Sequence, residues 1–386
     1  MPDTPFYEVN EAIVLSGGVD LNTCMQCGMC AAVCPWREVN GEFIVRRMIR
    51  LGQMGLEGNE VEDILYGCTT CNKCVINCPR GVDIIGIMRA IRTMTAEMGG
   101  TPDTLRAVIG SCDSNGNPWG EKREKRTDWM KGLDVPAYTE NTEYLLSVCC
   151  TSCYDSRSRN IARSLVKLLT QAGVSFGVIG AEENCCGESL RKTGDESGFM
   201  KLAEANIGLF NGRGVRKIIV TSPHCYHTYT KEYPEIGGEW EVVHHSQLLA
   251  QLVADGKLKV PAALAKKVAY HDPCYLGRHS EIFDEPRAVL AAAGVEAVEM
   301  PREKRFSLCC GGGGGRVWME TPAEKRFSVL RVNEAVNAGA KILATACPYC
   351  VSLLEDSRKT ENLEDKLEVL DLAEVLLRSM EGETVR

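Results

Sequence analysis

The chain has 386 residues, 44% of them apolar, and carries a formal net charge of -8 at neutral pH. This length predicts two or three domains with ordinary buried cores, and the acidic balance argues against a nucleic-acid-binding protein. No apolar run reaches the about 18 residues that span a bilayer, and the N-terminus lacks the pattern of a secretory signal. We expect a cytoplasmic protein that meets the cytoplasmic face of a membrane only through a partner.

Two cysteine runs near the N-terminus predict iron-sulfur clusters. The segments "CMQCGMCAAVCP" and "CTTCNKCVINCP" both have the spacing C-x2-C-x2-C-x3-C-P, the bacterial ferredoxin pattern for [4Fe-4S] clusters. In two-cluster ferredoxins the fourth cysteine of each run ligates the other cluster. The predicted ligands are Cys24, Cys27, Cys30 and Cys78 for cluster one, and Cys68, Cys71, Cys74 and Cys34 for cluster two. Zinc is disfavoured because it uses paired C-x2-C units separated by a longer loop.

The remainder of the N-terminal half divides into a helical segment and a polar one. "FIVRRMIRLGQMGL" has the apolar periodicity of an amphipathic helix, on which Arg46, Arg47 and Arg50 form either a solvated face or a cationic surface near the clusters. We place a two-cluster ferredoxin-like domain at residues 1–100. Residues 101–142 are polar and rich in turn formers, and they predict a linker or lid.

Past residue 142 the chain repeats itself. Cys274, Cys309-Cys310, Cys347 and Cys350 are spaced almost as Cys150, Cys185-Cys186, Ser222 and Cys225. Short β-rich runs alternate with helix-like segments in both halves, which predicts parallel strands with cysteines at their ends. The predicted fold is α+β: a helical ferredoxin-like domain followed by two α/β cysteine-rich modules, 143–260 and 261–386, related by internal pseudo-symmetry.

The second module offers five thiols for one site, more than a cubane needs. Adjacent Cys309 and Cys310 can hold neighbouring irons, and the glycines that follow allow backbone N–H groups, first those of Gly311 and Gly312, to approach sulfide. A phosphate-binding loop is disfavoured because the run has neither G-x-x-x-x-G-K-[ST] nor G-x-G-x-x-G with an acidic partner.

The whole pattern resembles the D-type family of heterodisulfide reductases, and also the DsrK-type subunits of sulfur-metabolism complexes. "RRMIRLGQMGL" and the two doubled-cysteine modules carry the resemblance over nearly the whole chain. It implies a noncubane [4Fe-4S] cluster, beside the two cubanes, at which disulfides are cleaved or formed. The ligands that it implies here are Cys274, Cys309, Cys310, Cys347 and Cys350.

The first module departs from this pattern because Ser222 stands where the second has Cys347. Its remaining candidates are Cys150, Cys185, Cys186 and Cys225, and Cys149 and Cys153 leave the first ligand ambiguous. This module holds an altered iron-sulfur cluster, uses Cys153 as a substitute ligand, or is empty. We favour a degenerate structural copy.

A disulfide reaction also needs proton donors and a way to hold substrate. His271, three residues before Cys274, is the first candidate donor, followed by His224 and His227. An anionic substrate would meet cations, for which the candidates are Arg278, Arg302, Lys304, Arg305 and Arg316. For each of these residues an ordinary structural or surface role is the alternative.

Two functions follow from these observations. In the first, other redox subunits (a membrane cytochrome b or quinone-reactive subunit, or a flavoprotein) exchange electrons with the cubanes, and a small disulfide or thiol, or a protein thiol, reacts at the five-cysteine site. In the second, the chain is an electron relay for a flavin dehydrogenase, resembling the iron-sulfur subunits of glycolate or glycerol-3-phosphate dehydrogenases. The complete five-cysteine set favours the first.

Overall fold

The computed structural model describes residues 6–39, 43–56, 65–261 and 263–382. Its N-terminal part is helical, as predicted, and its two cysteine runs lie mostly in the loops between helices. The helix predicted between the runs begins at Val45 and ends at Met54, and it buries Met48 and Ile49 on one face. The helices are α1 (Tyr7–Leu15), α2 (Met29–Val33), α3 (Trp36–Val39), α4 (Val45–Met54) and α5 (Ile84–Glu97).

The segment predicted as a linker is an ordered, packed part of the molecule. It contains α6 (Asp103–Asn115) and a 3-10 segment (Arg123–Met130). Leu105, Val108 and Cys112 are buried on α6 because they recur at the three- and four-residue spacing of a helix face. The polar residues between them conceal this short apolar stripe in the sequence.

Two four-stranded parallel sheets follow, and they have the same topology. The first contains β1 (Tyr144–Ser147), β2 (Phe176–Gly177), β3 (Lys217–Val220) and β4 (Glu241–His244), in the order β2-β1-β3-β4. The second contains β5 (Lys267–Tyr270), β6 (Glu296–Ala297), β7 (Ile342–Thr345) and β8 (Glu368–Asp371), in the order β6-β5-β7-β8. The central strands are almost entirely buried, as expected when helices cover both faces of a parallel sheet.

Four helices of each module also correspond. The first module has α7 (Cys150–Tyr154), α8 (Arg159–Gln171), α9 (Glu188–Thr193), α10 (Glu196–Gly212), α11 (Pro223–His227) and α12 (His245–Ala254). The second has α13 (Asp284–Ala292), α14 (Phe327–Asn337), α15 (Pro348–Thr360) and α16 (Leu372–Glu381). Four helices of the first module, α8, α10, α11 and α12, correspond by their order between the strands to the four of the second module. The final helix of each module begins with a capping box, formed at His244 in α12 and at Asp371 in α16.

The modules pack against each other reciprocally. The last helix of the first module, α12, packs on α13 of the second, and the last helix of the second, α16, packs on α8 of the first. Polar contacts reinforce this apolar interface: His245 Nε2 lies 3.1 Å from Asp371 Oδ1, and Arg157 Nη1 lies 2.9 Å from Glu374 Oε1. Among the described helices, none has the length and apolar content needed to cross a membrane.

Candidate iron-sulfur sites

Both N-terminal cysteine runs bend in the same way. In the first loop Gln26 and Gly28, on either side of Cys27, have left-handed backbone angles, and in the second Thr70 and Asn72 take the equivalent positions around Cys71. Left-handed residues on both sides of a cysteine turn the chain sharply, which lets thiols three residues apart face one centre. The structure brings Cys24, Cys27, Cys30 and Cys78 around one cavity, which Arg46 also lines.

The second N-terminal set is more deeply enclosed. The charges of Cys68 and Cys71 act on the nearby thiol of Cys34, whose pKa burial and these neighbours raise well above its usual range. Burial and the charges of Cys68, Cys71 and Cys34 likewise raise the pKa of Cys74. The grouping is the one that the sequence predicts, and ligation by these thiols stays a prediction. In this environment uncharged thiols or metal-bound thiolates are favoured over free thiolates.

The five cysteines of the second module converge at the carboxyl edge of its sheet. The Sγ atoms of Cys274 and Cys309 are 4.0 Å apart, and the backbone N–H of Gly311 donates to Cys309 Sγ at 3.3 Å. Cys310 is hydrogen-bonded to the thiols of Cys309 and Cys350 and to the backbone N–H of Gly312. All five are buried, together with His271: Cys274, Cys309, Cys310, Cys347 and Cys350.

His271 lies beside these thiols with a nitrogen that has no hydrogen-bond partner. One of its ring nitrogens and the Sγ atoms of Cys310 and Cys350 all lie within 4.8 Å of one another. Nδ1 accepts from Arg331 Nε at 3.1 Å, so the ring proton is on Nε2, which is buried and unpartnered. Burial, then Arg331, lowers the pKa of His271 to about 3. The imidazole is therefore neutral near pH 7, which argues against the role of proton donor that the sequence suggested for His271.

The thiol of Cys71 adjoins the second module, because it lies close enough to Cys309 for each thiol to shift the pKa of the other. Arg278 lies at the same junction, where its guanidinium donates to the carbonyl oxygens of Cys71 (2.6 Å) and Ser307 (2.7 Å), while Nη2 is buried without a partner. Burial alone would lower the pKa of Arg278, but the sulfurs of Cys71, Cys274 and Cys309 raise it. Its position favours negative charge on these sulfurs.

A histidine of the first module also reaches the second site. His224, on α11, stacks on the Tyr275 ring with centroids 4.0 Å apart, and it is hydrogen-bonded to Cys347. Glu188 lies 3.1 Å from His224 Nδ1 and, against the effect of burial, raises the pKa of His224 to about 10. His227 differs, because burial lowers its pKa to about 4.

A solvent-connected cleft reaches Cys310. It has a volume of about 430 Å³, and its walls include Trp36, Trp119 and Phe327. Among the predicted cations Arg316 lines this cleft, with its guanidinium 5.7 Å from the Trp36 ring centre. The others lie elsewhere: Arg302 pairs with Glu38 and Glu334, Lys304 with Asp284, and Arg305 with Glu281.

The first module gathers thiols around a second cavity at the edge of its own sheet. This small cavity, of about 20 Å³, is lined by Cys149, Cys150, Cys185, Cys186 and Cys225. The thiol of Cys153 instead donates to the Val148 carbonyl oxygen at 3.5 Å. Arg126, which is 4% exposed, donates to Cys150 Sγ at 3.4 Å and lies 3.5 Å from Glu183.

Sequence reasoning missed two residues of this region. Cys112 of α6 is hydrogen-bonded to Cys185, although it lies in the segment predicted as a linker. Arg126 follows in the same segment, inside a run of charged residues that suggests a solvated surface. No spacing connects either residue to the repeat, since both reach it through tertiary packing.

The donor sets fit iron-sulfur clusters. Thiolate is the ligand type that such clusters use, and here thiols converge in groups of four or five, most of them buried, with arginine and backbone N–H donors beside them. None of the 20 cysteines forms a disulfide bond. Buried arginine side chains near the sulfurs match the negative charge that ligated clusters carry.

Comparison with known proteins agrees with this geometry. Residues 20–82 match the 4Fe-4S dicluster domain family, and residues 146–229 and 268–355 match the cysteine-rich domain family. The D-type subunit of the dihydromethanophenazine:CoB–CoM heterodisulfide reductase of Methanosarcina mazei is 30% identical, with 95% of each chain covered. A crystal structure of a hypothetical protein from Helicobacter pylori shares the fold, with a TM-score of 0.51 at 12% identity over 84% of this chain and 65% of that one.

Two further relatives are longer. The EtfAB:quinone oxidoreductase of Syntrophomonas wolfei is 34% identical over 94% of this chain and 58% of its own, and the probable iron-sulfur-binding oxidoreductase FadF of Bacillus subtilis is 38% identical over 83% and 47%. The chain thus spans about half the length of these two. The matches show a redox electron-transfer role with 4Fe-4S binding. The chain belongs to the heterodisulfide reductase D-type family of iron-sulfur oxidoreductase subunits, with a 4Fe-4S dicluster domain followed by two cysteine-rich domains.

Proposed function

We propose that this chain transfers electrons between a redox partner and a disulfide or thiol substrate that reacts at the five-cysteine site of the second module. One observation carries the proposal: Arg278 holds the loop of Cys71 in the dicluster domain beside the segment that leads to Cys309, while Cys310 of the same site lines a cleft open to solvent. In this proposal electrons reach the site from the dicluster domain on one side, and the substrate reaches it through the cleft on the other.

Loaded with iron-sulfur clusters, among them a noncubane cluster at these five cysteines, the chain would supply one-electron transfer steps to a two-electron disulfide reaction. The residues around the site provide the remainder of the chemistry. Reduction of a disulfide to two thiols consumes two electrons and two protons. His224 is the proton donor that the geometry supports, since its pKa lies above neutrality and it is hydrogen-bonded to Cys347. His271 is neutral and keeps its Nε2 proton.

The substrate approach also has a defined chemistry. Trp36, Trp119 and Phe327 give the cleft flat apolar walls, and Arg316 adds positive charge beside them. These features favour a thiol or disulfide with an apolar or planar part and an anionic group.

The Cys310→Ala variant tests the proposal. Prepared without oxygen, it should lose disulfide-dependent oxidation of the reduced chain and about four irons, because the site loses a central ligand. The two N-terminal cluster signals should remain in its electron paramagnetic resonance spectrum, and they serve as the internal control. Undiminished disulfide turnover by this variant would refute the proposal.

Electron relay toward quinone is the second candidate, and the quinone oxidoreductase name of the Syntrophomonas wolfei relative supports it. In that case a partner receives the electrons and the cleft needs no disulfide. A water-soluble quinone should then oxidise the reduced chain when disulfides do not. Comparing both acceptors with the unaltered chain and with Cys310→Ala separates the two functions.

A further inference from the structure

The first module lacks one cysteine of the repeat at a position whose backbone is preserved. Ser222 and Cys347 are both extended N-cap residues, with φ and ψ of -130° and 133° in one and -155° and 121° in the other, and each precedes a proline at the start of a helix. The Ser222 hydroxyl accepts from the His224 N–H at 3.2 Å. Ser222 therefore acts as an ordinary helix cap.

Strand register shows which residue faces this position. β1 pairs with β3 so that Ser147 is level with Val220, and two residues further along Cys149 is level with Ser222. The Cys149 N–H donates to Thr221 Oγ1 at 3.0 Å, so the two chain segments remain side by side beyond the paired strands.

The second module has the opposite arrangement. There β5 pairs with β7 so that Tyr270 is level with Ala344, and three residues further along Pro273 is level with Cys347. Each of these two level pairs, Cys149 with Ser222 and Pro273 with Cys347, thus contains one cysteine. In the second module it follows β7, and in the first it follows β1.

The thiol positions agree with the register. Cys149 lines the same cavity as the four cysteines of the repeat. Cys153 and Cys112 do not line it. The buried guanidinium of Arg126 points at this cavity, where it donates to Cys150 Sγ. A buried cation beside five thiols is the environment that a polyanionic cluster requires.

We propose that the first module binds an iron-sulfur cluster of its own through Cys149, Cys150, Cys185, Cys186 and Cys225, in which Cys149 takes the place of the cysteine missing at Ser222. The proposal is independent of the substrate that reacts at the second module. Its ligand set adds Cys149 to the four cysteines expected from spacing, and Cys153, considered above as the substitute ligand, is not part of it.

Iron and acid-labile sulfide counts on the whole chain, purified without oxygen, test this assignment together with electron paramagnetic resonance and Mössbauer spectra. With all four sites filled, the chain should hold about 16 irons. Cys149→Ala should hold about four fewer and lose one cluster component, while the dicluster signals stay. The matched control, Cys153→Ala, removes a buried thiol four residues away and should keep every iron.

A relocation variant completes the test. Cys149→Ala combined with Ser222→Cys returns the thiol to the position that it has in the second module, and it should restore the lost irons and spectrum. The assignment is overturned if Cys149→Ala keeps all iron, if the unaltered chain holds only about 12 irons, or if a folded relocation variant lacks the component. Failure here leaves the Cys310→Ala result unaffected, because that variant addresses the other module.

Discussion

At the scale of single residues, three buried arginines stand beside the cysteine sites: Arg92, Arg126 and Arg278, which are 0%, 4% and 5% exposed. Arg92 and Arg278 donate to the carbonyl oxygens of Cys68 (2.8 Å) and Cys71 (2.6 Å), and Arg126 donates to Cys150 Sγ. Burying a guanidinium costs several kcal/mol unless opposite charge or hydrogen bonds offset it. We infer that each arginine offsets negative charge on the cysteine sulfurs beside it.

Replacement of Arg278 by methionine should lower the reduction potential of the clusters next to it. Removing a buried positive charge makes an added electron less favourable, and a decrease of tens of millivolts is expected. An anaerobic redox titration followed by electron paramagnetic resonance measures the change. Arg305→Met removes an exposed arginine of the same module and should leave the potentials as they are; equal potentials in both variants would contradict the role given to Arg278.

At the scale of elements, the glycine run after Cys310 matters because two loops meet there. A side chain at Gly313 would overlap the Thr69 carbonyl oxygen, and one at Gly314 would overlap that of Cys68. Both carbonyls belong to the cysteine loop of the dicluster domain. The glycines therefore let the loop of the second module lie directly against the loop that carries Cys71, in addition to bringing N–H groups to sulfur.

Gly313→Ala should push these loops apart and destabilise the folded chain by about 1–3 kcal/mol, the usual cost of overpacking. Thermal unfolding under anaerobic conditions detects this as a lower Tm. Gly208→Ala is the control, since its helical position in α10 has no atom within 4 Å of the added carbon. If Gly313→Ala unfolds at the temperature of Gly208→Ala, the loops do not depend on this close approach.

Sequence patterns predict elements well where the cause is local. The C-x2-C spacing, the periodicity of "RRMIRL" and the repeat of the doubled cysteines each act over a few residues or a fixed interval, and each leads to the observed grouping of elements. The position of Cys149 beside Ser222 depends on how β1 pairs with β3, and the contacts of Cys112 and Arg126 depend on where α6 and the 3-10 segment after it pack. Such contacts join residues far apart in the chain, so spacing alone does not reveal them.

At the scale of the whole molecule, Arg92 joins all three domains. Its guanidinium donates to Leu65 and Cys68 of the dicluster domain, to Lys192 of the first module and to Gly314 of the second. These acceptors are backbone carbonyls, and their positions fix the three domains relative to one another. The dicluster domain thus contacts both modules at their junction rather than only one of them.

Arg92→Met should weaken this junction strongly, because it leaves several buried carbonyls without a donor at a combined cost of about 3 kcal/mol or more. The free energy of unfolding and the susceptibility of the folded chain to limited proteolysis both report the loss. Arg89→Met, one turn away on α5, should change neither. If Arg92→Met and Arg89→Met have the same free energy of unfolding, the junction is held by other contacts.

The reciprocal packing of α12 on α13 and of α16 on α8 has a consequence for ancestry. A face that fits its own copy in this way is the kind found in two-fold symmetric homodimers. Before duplication and fusion, a gene for one module would have given a homodimer with the same packing of two modules. Joining the copies in one polypeptide freed each half to mutate alone, which explains how a thiol could migrate between neighbouring strands in only one of them.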